Sequence, residues 1–229
     1  MGAGDRVTVI IPWQPGCPHR TSALGWVLDQ WEATGHQVLL GWLEDQPWCK
    51  AAAVANALPR VVGDVLVVAD ADVWSPGTSA AIEAVRAGAA WAMPHGRVHR
   101  LTPESTARVL AGTAPTPGDR LVQAAYRGWP GGGTVVLPTS TYRAVPLDPR
   151  FVGWGGEDES WARALDLLAG PGWRGTAPLY HLWHPPQKRM SRRWGSPEAK
   201  ALAGRYRAAS TPQAMRDLIN ETEEAAWQR

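Results

Sequence analysis

Three short apolar runs, separated by helical patterns, constrain the fold more than any other feature of this sequence. Residues 6–11 (RVTVII), 37–43 (QVLLGWL) and 65–69 (VLVVA) have the length and the β-branched composition of buried strands. Between them, residues 21–34 and 48–58 carry apolar or small side chains at helical spacing. This order of strands and helices is typical of a doubly wound α/β domain, so we expect a mostly parallel, twisted sheet flanked by helices.

The length of the chain suits one such domain. With 229 residues and 45% hydrophobic residues, the sequence is large enough for one sizeable α/β core and small for two. We expect residues 1–195 to form the domain and residues 196–229 to form a helical extension packed on it. The sequences SPE at residue 196 and TPQ at residue 211 each predict a helix start, with proline at the first helical position.

Composition excludes few classes of function. The formal net charge of +2 gives no general argument for binding to nucleic acid or to a membrane surface. Cys17 and Cys49 lack metal-ligand spacing, which favours unpaired thiols in a reducing compartment, with a single disulfide as the alternative. No signal peptide or membrane span is visible, so the cytoplasm is the expected location. The fourteen tryptophans are suited to stacking on sugars or bases, and equally to core packing.

A pair of acids follows the third predicted strand. The run VLVVADADVW, residues 65–74, ends its apolar part at Asp70-Ala71-Asp72. In extended chain, residues two apart point to the same side, so we expect both carboxylates to converge at the carboxyl end of the strand. Mg²⁺ and Mn²⁺ take such oxygen ligands, and this end of a parallel sheet is where α/β folds bind nucleotides. The alternative is that both acids cap the following turn.

A glycine-rich turn delivers a second pair of acids. In FVGWGGEDES, residues 151–160, glycines permit left-handed backbone conformations before Glu157 and Asp158, which lie at a predicted helix start. A helix N-terminus favours negative charge, and an acidic first turn without further function is the alternative interpretation.

Together and in this order, these motifs resemble those of glycosyltransferases of the GT-A fold, most closely the family-2-like and β-1,4-galactosyltransferase-like members. The resemblance extends from the first strand to about residue 186 and is carried by VVADAD, GWGGED and HLWH. It implies a GT-A, Rossmann-like sheet followed by C-terminal helices. It also matches Arg163 to a basic position of the family's motif, where this side chain would hold a carboxylate such as that of Glu159.

The resemblance also implies a bound divalent metal ion, Mn²⁺ or Mg²⁺. Asp72 is the expected carboxylate ligand, with Asp70 nearer the ribose or acting as an indirect ligand. His181 and His184, in HLWH, are the candidate imidazole ligands. Because they are three residues apart on a predicted strand, we expect opposite faces and only one ligand, unless the backbone bends between them. His184 is the better candidate for a single ligand.

Further positions are expected to bind the nucleotide-sugar donor, with UDP as the nucleotide. Pro12 opens the nucleotide pocket in this resemblance, Asp45 contacts uridine, and Lys50 and Asn56 line the donor. A glycine-rich segment before a strand would close on the donor sugar, with a plain hairpin or strand-entry turn as the alternative. The basic segment 187–194 would close over the diphosphate, with a solvated loop or a contact for a polyanionic acceptor as the alternatives. The residues concerned in these two segments are Gly131, Gly132 and Gly133, and Lys188 and Arg189.

The implied activity is transfer of a sugar to an acceptor hydroxyl with inversion of configuration. Asp158 would be the general base, and Glu157 would orient acceptor or sugar hydroxyls. The acceptor stays open between a glycan end, a small molecule, a protein side chain and a modified base in DNA. A non-catalytic sugar-nucleotide-binding module is the other hypothesis. Nucleotidyl transfer is disfavoured, because PWQPGCPHR has one glycine and one arginine where a triphosphate-binding loop is glycine-rich and basic.

Overall fold

The computed structural model describes residues 6–44, 46–186 and 195–227, and for residues 222–227 the backbone alone. Within these ranges the chain forms seven strands, eight α-helices and a short 3₁₀-helix at Leu58–Arg60. The strands are β1 (Val7–Trp13), β2 (Gln37–Trp42), β3 (Val65–Ala69), β4 (Val73–Trp74), β5 (Ala92–Arg100), β6 (Thr134–Pro138) and β7 (Trp173–His181). The helices are α1 (Pro18–Glu32), α2 (Lys50–Ala57), α3 (Thr78–Arg86), α4 (Pro103–Leu110), α5 (Thr139–Ala144), α6 (Glu157–Leu168), α7 (Pro197–Ala208) and α8 (Pro212–Trp227).

All seven strands belong to one sheet in the order β2-β1-β3-β6-β5-β7-β4. β1 pairs in parallel with β2 and β3, and β5 pairs in parallel with β7. β6 runs antiparallel to both β3 and β5, and β4 runs antiparallel to β7. Five of these strands therefore run in one direction, and the expected mostly parallel α/β sheet is confirmed.

The sheet is buried on both faces, as near-continuous apolar strands predict. On β3, Leu66 and Val68 pack in a core cluster that also contains side chains of α2, α6, α7 and α8. The alternate residues Val65 and Val67 pack in a second cluster with side chains of α1 and α3. Side chains alternate along a strand, so a single apolar run supplies both layers.

Most predicted elements are present, with displaced ends. The first helix, expected over residues 21–34, is observed over Pro18–Glu32. β5 extends to Arg100, because irregular pairing with β7 accommodates Pro94 and Gly96 within it. β7 ends at His181. The two-residue β4 and the short α5, which begins directly after Pro138, were not predicted.

The predicted helix starts at Ser196 and Thr211 are confirmed by their capping contacts, and Thr102 caps α4 in the same way. Each hydroxyl oxygen accepts a hydrogen bond from a backbone N–H three residues later, at distances of 3.1–3.2 Å. The side chains of Leu202, Tyr206 and others from α7 and α8 lie in the same core cluster as Ile10 of β1.

Two negative findings concern the described ranges. Both cysteine thiols are free, with Cys49 buried. None of the helices described combines the length and the apolar composition that crossing a membrane requires.

Candidate active site

A cleft of about 370 Å³ opens where β1, β3 and β7 end and α6 begins. Pro12 lines it from β1, and Asp70 and Asp72 from the turn after β3. His181 lines it from the end of β7, and Asp158 from the first turn of α6. The carboxyl ends of three strands and one helix N-terminus thus bring both acidic motifs into one site.

Asp72, His181 and His184 form a group with the chemistry of a metal site. One ligand atom from each lies within 4.8 Å of the others. His184 Nε2 is 3.4 Å from Asp72 Oδ2, and His181 Nε2 is 3.9 Å from Asp72 Oδ1. His184 Nδ1 lies 2.8 Å from the carbonyl oxygen of Pro185, to which it donates. This contact leaves the lone pair of His184 on Nε2, towards Asp72.

Burial and charge give this group the protonation states that a metal requires. Burial opposes the charge of Asp72, but His181, Arg20 and His184 outweigh it and lower the pKa of Asp72. Burial lowers the pKa of His181. At neutral pH the group therefore presents a carboxylate and a neutral imidazole, the forms that coordinate divalent metals.

Arg20 is a buried cation beside the metal group. Its Nε donates to Asp72 Oδ2 at 3.1 Å. Its guanidinium carbon lies 5.0 Å from the ring centre of Trp154 and 5.6 Å from that of Trp13. The two rings hold the guanidinium in place, which leaves Asp72 with one fixed hydrogen bond before any ligand arrives.

Lys50 joins the two acidic motifs directly. Its Nζ lies 2.8 Å from Asp70 Oδ1 and 2.7 Å from Asp158 Oδ1, and its side chain is buried. Burial opposes the charge, but Asp158 and Asp70 together raise the pKa of Lys50. The ammonium is therefore charged over the whole physiological pH range and compensates two carboxylates that would otherwise repel each other.

The backbone that leads into the first turn of α6 has an unusual, left-handed conformation. Gly156 precedes the helix in a left-handed conformation (φ 95°), and Gly155 N–H donates to Glu157 Oε2 at 2.9 Å. Burial and Asp158 raise the pKa of Glu157 to about 7. Burial also raises the pKa of Asp158, whereas Lys50 acts in the opposite direction. The helix N-terminus was expected to keep Asp158 ionised, but burial dominates its pKa and Lys50 is the main stabilising charge.

The glycine-rich segment before β6 packs against α6. Gly131 has φ 79°, and a Cβ built on it would lie 2.2 Å from the carbonyl oxygen of Asp158. A Cβ on Gly132 would lie 3.2 Å from Asp158 Oδ2. Gly133 N–H donates to Asp70 Oδ2 at 3.2 Å. Glycine is required here because backbone, rather than side chain, approaches both acids.

The structure brings together most of the residues that the sequence singled out. Those in the cleft lining are Pro12, Lys50, Asp70, Asp72, Gly132, Gly133, Glu157, Asp158, His181 and His184. Asp45, Lys188 and Arg189 lie outside the described residues.

Two expectations about geometry were wrong. Asp70 and Asp72 do not converge, because β3 ends at Ala69 and the turn directs Asp70 to Lys50 and Asp72 to Arg20. His181 and His184 are not on opposite faces, because β7 ends at His181 and both rings approach Asp72. Asp70 is not part of the group that Asp72, His181 and His184 form.

Two predicted donor-binding residues have other contacts. Asn56 lies on α2 and donates through its side-chain amide to the carbonyl oxygen of Trp42 at 2.7 Å, away from the cleft lining. Gly131 N–H donates to the sulfur of Met93 on β5. Gly131 is not among the residues that line the cleft.

Several cleft residues were not predicted from the sequence. Trp48 and Trp154 stack at 5.4 Å, and Arg100, Tyr126 and Trp129 line the end of the cleft beyond His181. Only the abundance of tryptophan indicated residues of this kind, and it did not say which of the fourteen lie in the site. A second cavity of about 610 Å³, lined by Gln14 and Glu44 among others, lies at the ends of β1 and β2.

Comparison with solved structures supports the fold. The chain is 13% identical to GalNAc-T7, solved with UDP, GalNAc and Mn²⁺, over 89% of this chain and 48% of that one (TM-score 0.54). It is 12% identical to residues 1–349 of TarS from S. aureus, solved with UDP-GlcNAc, over 95% of this chain and 71% of that one (TM-score 0.54). Both have the GT-A fold, and this chain has the same fold.

The comparisons do not place the chain in a sequence family. No protein-family model matches it, and no curated protein matches it. The chain spans about half the length of the GalNAc-T7 chain.

Proposed function

We propose that this chain is a metal-dependent glycosyltransferase that moves a sugar from a UDP-sugar to an acceptor hydroxyl, with inversion at the sugar C1. The observation that carries the proposal is the convergence, in one cleft of a GT-A fold, of a metal-ligating group and a lysine-bridged pair of carboxylates. The ligands of the two fold relatives, UDP with Mn²⁺ and UDP-GlcNAc, support the choice of donor.

The residues present fit a divalent cation. Asp72, His181 and His184 supply one carboxylate oxygen and two imidazole nitrogens, a mixture that suits Mn²⁺ better than Mg²⁺. When bound there, the ion supplies positive charge that stabilises the departing diphosphate. Arg20 keeps Asp72 in position through one carboxylate oxygen.

Asp158 is suited to be the general base. Its Oδ1 is bound by Lys50, so Oδ2 is the atom that accepts the proton of the acceptor hydroxyl. The acceptor oxygen forms its bond to C1 as the bond from C1 to the diphosphate oxygen breaks on the opposite face. Burial makes Asp158 a stronger base than an exposed aspartate, and Lys50 keeps it ionised. Glu157, in the same turn, orients sugar or acceptor hydroxyls.

The donor side of the cleft offers surfaces for the nucleotide. The cavity beside Gln14 and Glu44 accommodates the uracil and ribose, next to Pro12 at the end of β1. Asp70, held by Lys50 and Gly133 N–H, accepts hydrogen bonds from ribose or sugar hydroxyls.

The test is release of UDP from a panel of UDP-sugars, with Mn²⁺, with Mg²⁺ and with a chelator. We expect slow hydrolysis of at least one donor with Mn²⁺ and none with the chelator. Asp72→Ala should abolish Mn²⁺ binding, measured separately by electron paramagnetic resonance. Unchanged Mn²⁺ binding in this variant would contradict the metal assignment.

A second variant separates the base from the binding site. Asp158→Asn should lower the rate of transfer by at least about 100-fold, since proton transfer contributes that much in many enzymes. UDP affinity should stay within about twofold of the parent protein, because Asp158 acts on the acceptor. The control is Asp217→Asn on the exposed face of α8. UDP binding without release from any donor would favour a non-catalytic binding module.

A further inference from the structure

One histidine of the cleft takes no part in the mechanism proposed above. His95 lies on β5 and lines the cleft, and its side chain is fully buried. Neither of its ring nitrogens has a hydrogen-bond partner among the residues that the structure describes. Buried polar atoms nearly always have a partner, because an unpaired one is costly. Two unpaired nitrogens in the lining of a cleft therefore indicate a group that binds a ligand.

Two glycines leave space beside this imidazole ring. A Cβ built on Gly128 would lie 3.5 Å from His95 Nε2, and one built on Gly133 would lie 3.6 Å from His95 Cε1. The same two Cβ atoms would lie 2.6 Å from Val98 Cγ2 and 2.6 Å from Leu179 Cδ2, respectively. All five residues line the cleft, and we call them the His95 pocket. The pocket combines one polar ring with apolar and small neighbours.

The segment that carries Gly128 is tied to β5 by hydrogen bonds. Arg174 Nε donates to the carbonyl oxygen of His95 at 3.2 Å, and Arg174 Nη2 donates to the carbonyl oxygen of Gly128 at 3.1 Å. Val98 and Tyr126 exchange backbone hydrogen bonds of 2.7 and 3.3 Å. The His95 pocket is therefore held in place by the fold itself, and a ligand does not have to order it.

His95 is neutral at physiological pH. Burial and the charge of Arg174 lower the pKa of His95 to about 4, against the opposite effect of Asp70. A neutral imidazole has one N–H donor and one nitrogen that accepts. A hydroxyl group also both donates and accepts, so it can pair with either nitrogen. The chemistry of the pocket therefore suits an uncharged hydroxyl group better than an anion.

The glycine-rich segment before β6 connects the pocket to both acids of the cleft. Gly133, which borders His95, donates its N–H to Asp70 Oδ2 at 3.2 Å. A Cβ on the preceding residue, Gly132, would lie 3.2 Å from Asp158 Oδ2. A sugar that lies against this segment with its C1 near Asp158 therefore has Asp70 and His95 as its polar neighbours.

We propose that His95 binds a hydroxyl group of the sugar that is transferred, and so selects the donor sugar. This inference rests on the proposed function and adds a residue that determines its specificity. A site built to bind a hydroxyl group discriminates strongly against a sugar that lacks it at that position, because the buried ring is then left unpaired. A water molecule could pair with the same nitrogens, so the test distinguishes a sugar from water alone.

The test is isothermal titration calorimetry with Mn²⁺, using UDP, UDP-glucose, UDP-galactose and UDP-N-acetylglucosamine as probes. The variants are His95→Leu, which removes both nitrogens, His95→Gln, which restores a donor and an acceptor, and Gly128→Ala, which places a Cβ in the pocket. The matched control is His99→Leu. His99 also lies on β5 and its Nδ1 also lacks a described partner, but it does not line the cleft. Urea unfolding is measured for every variant.

His95→Leu should weaken at least one UDP-sugar by about tenfold and leave UDP within about twofold of the parent protein, because only the sugar loses a hydrogen bond. Its stability should not fall, since an apolar side chain replaces an unpaired polar one. His95→Gln should recover part of the lost affinity. Gly128→Ala should weaken the same UDP-sugar, and His99→Leu should change none of the four affinities.

Several outcomes would overturn the proposal. If His95→Leu weakens no UDP-sugar more than it weakens UDP, His95 does not bind the sugar and the proposed function still stands. A loss of stability in that case would identify His95 as a structural residue paired with water. If His95→Leu does not fold, unchanged binding of every UDP-sugar to Gly128→Ala would reject the pocket. If UDP does not bind the parent protein, the proposed function fails and this inference fails with it.

Discussion

At the scale of single residues, Lys50 organises the centre of the cleft. It lies at the start of α2, yet it contacts one acid from the turn after β3 and another from α6. No sequence motif connects these three positions, and the sequence suggested only that Lys50 lines the donor. The contact arises because α2 and α6 pack on the same face of the sheet. Two partly buried carboxylates then share one cation, which fixes both.

Lys50→Met should destabilise the protein and impair catalysis together. Removing the cation leaves two unpaired carboxylates, so we expect the free energy of unfolding to fall by about 1–3 kcal/mol, less than for fully buried acids. The rate of transfer should fall at least about tenfold, because Asp158 loses its fixed position. Urea unfolding and donor turnover measure the two effects. The control is Lys200→Met on the exposed face of α7, and equal stability of both variants would contradict the bridging assignment.

The raised pKa of Glu157 predicts that the stability of the protein depends on pH. Its folded pKa of about 7 is above the ordinary 4.5, so the folded protein holds this proton more tightly than the unfolded chain. Stability should therefore fall as pH rises between these values, by up to about 3 kcal/mol. In urea unfolding at pH 5 and pH 8, the parent protein should lose stability relative to Glu157→Gln. Glu159→Gln is the control, and a pH-independent difference for Glu157→Gln would show that burial does not perturb this acid.

At the scale of elements, the meeting of the glycine-rich segment and α6 determines where Asp158 lies. Gly131→Ala should displace this contact, because a Cβ has no room beside the carbonyl oxygen of Asp158. Gly112→Ala is a matched control, since Gly112 also has a positive φ but open space around it. Both variants carry the backbone penalty of about 1–2 kcal/mol, and only Gly131→Ala should lose more than that in urea unfolding. Equal losses would mean that the segment shifts freely.

Some of the elements that build the site were predictable from the sequence, and others were not. Apolar periodicity and caps located β1, β3 and α6, and with them the two acidic motifs. The ends of strands were not predictable, because pairing decides them: β7 ends at His181, where β5 ends and β4 begins, and both His181 and His184 then approach Asp72. Arg163 was expected to hold Glu159, but it donates to the carbonyl oxygens of Tyr206 and Ala209 and so secures the end of α7.

At the scale of the whole molecule, the C-terminal helices share the core of the sheet. Tyr206 of α7 donates to the buried carboxylate of Asp148 at 2.8 Å, and Arg150 joins Asp148 to Glu221 of α8. The caps of these helices were predictable from the sequence, which suggested an extension of the domain. Their long-range partners were not predictable, because a hydrogen bond between residues 148 and 206 leaves no local pattern.

This shared core leads to a prediction about cooperativity. Met215 of α8 is fully buried in the cluster that includes Ile10 and Leu66, so Met215→Ala should lower the free energy of unfolding by about 2–5 kcal/mol. Every tryptophan except Trp227 precedes residue 195, so tryptophan fluorescence reports mainly on the sheet and its neighbours, whereas far-ultraviolet circular dichroism reports on all helices.

The two signals should shift together to lower urea in Met215→Ala, as a single cooperative transition requires. Gln213→Ala, on the exposed side of the same helix, should leave the midpoint nearly unchanged. If fluorescence kept the parent midpoint while circular dichroism gained an earlier phase, the C-terminal helices would unfold independently. The cleft would then owe its stability to the sheet and to α6 alone, because the contacts of α7 and α8 with Arg163 and Arg150 would be lost before the site changed.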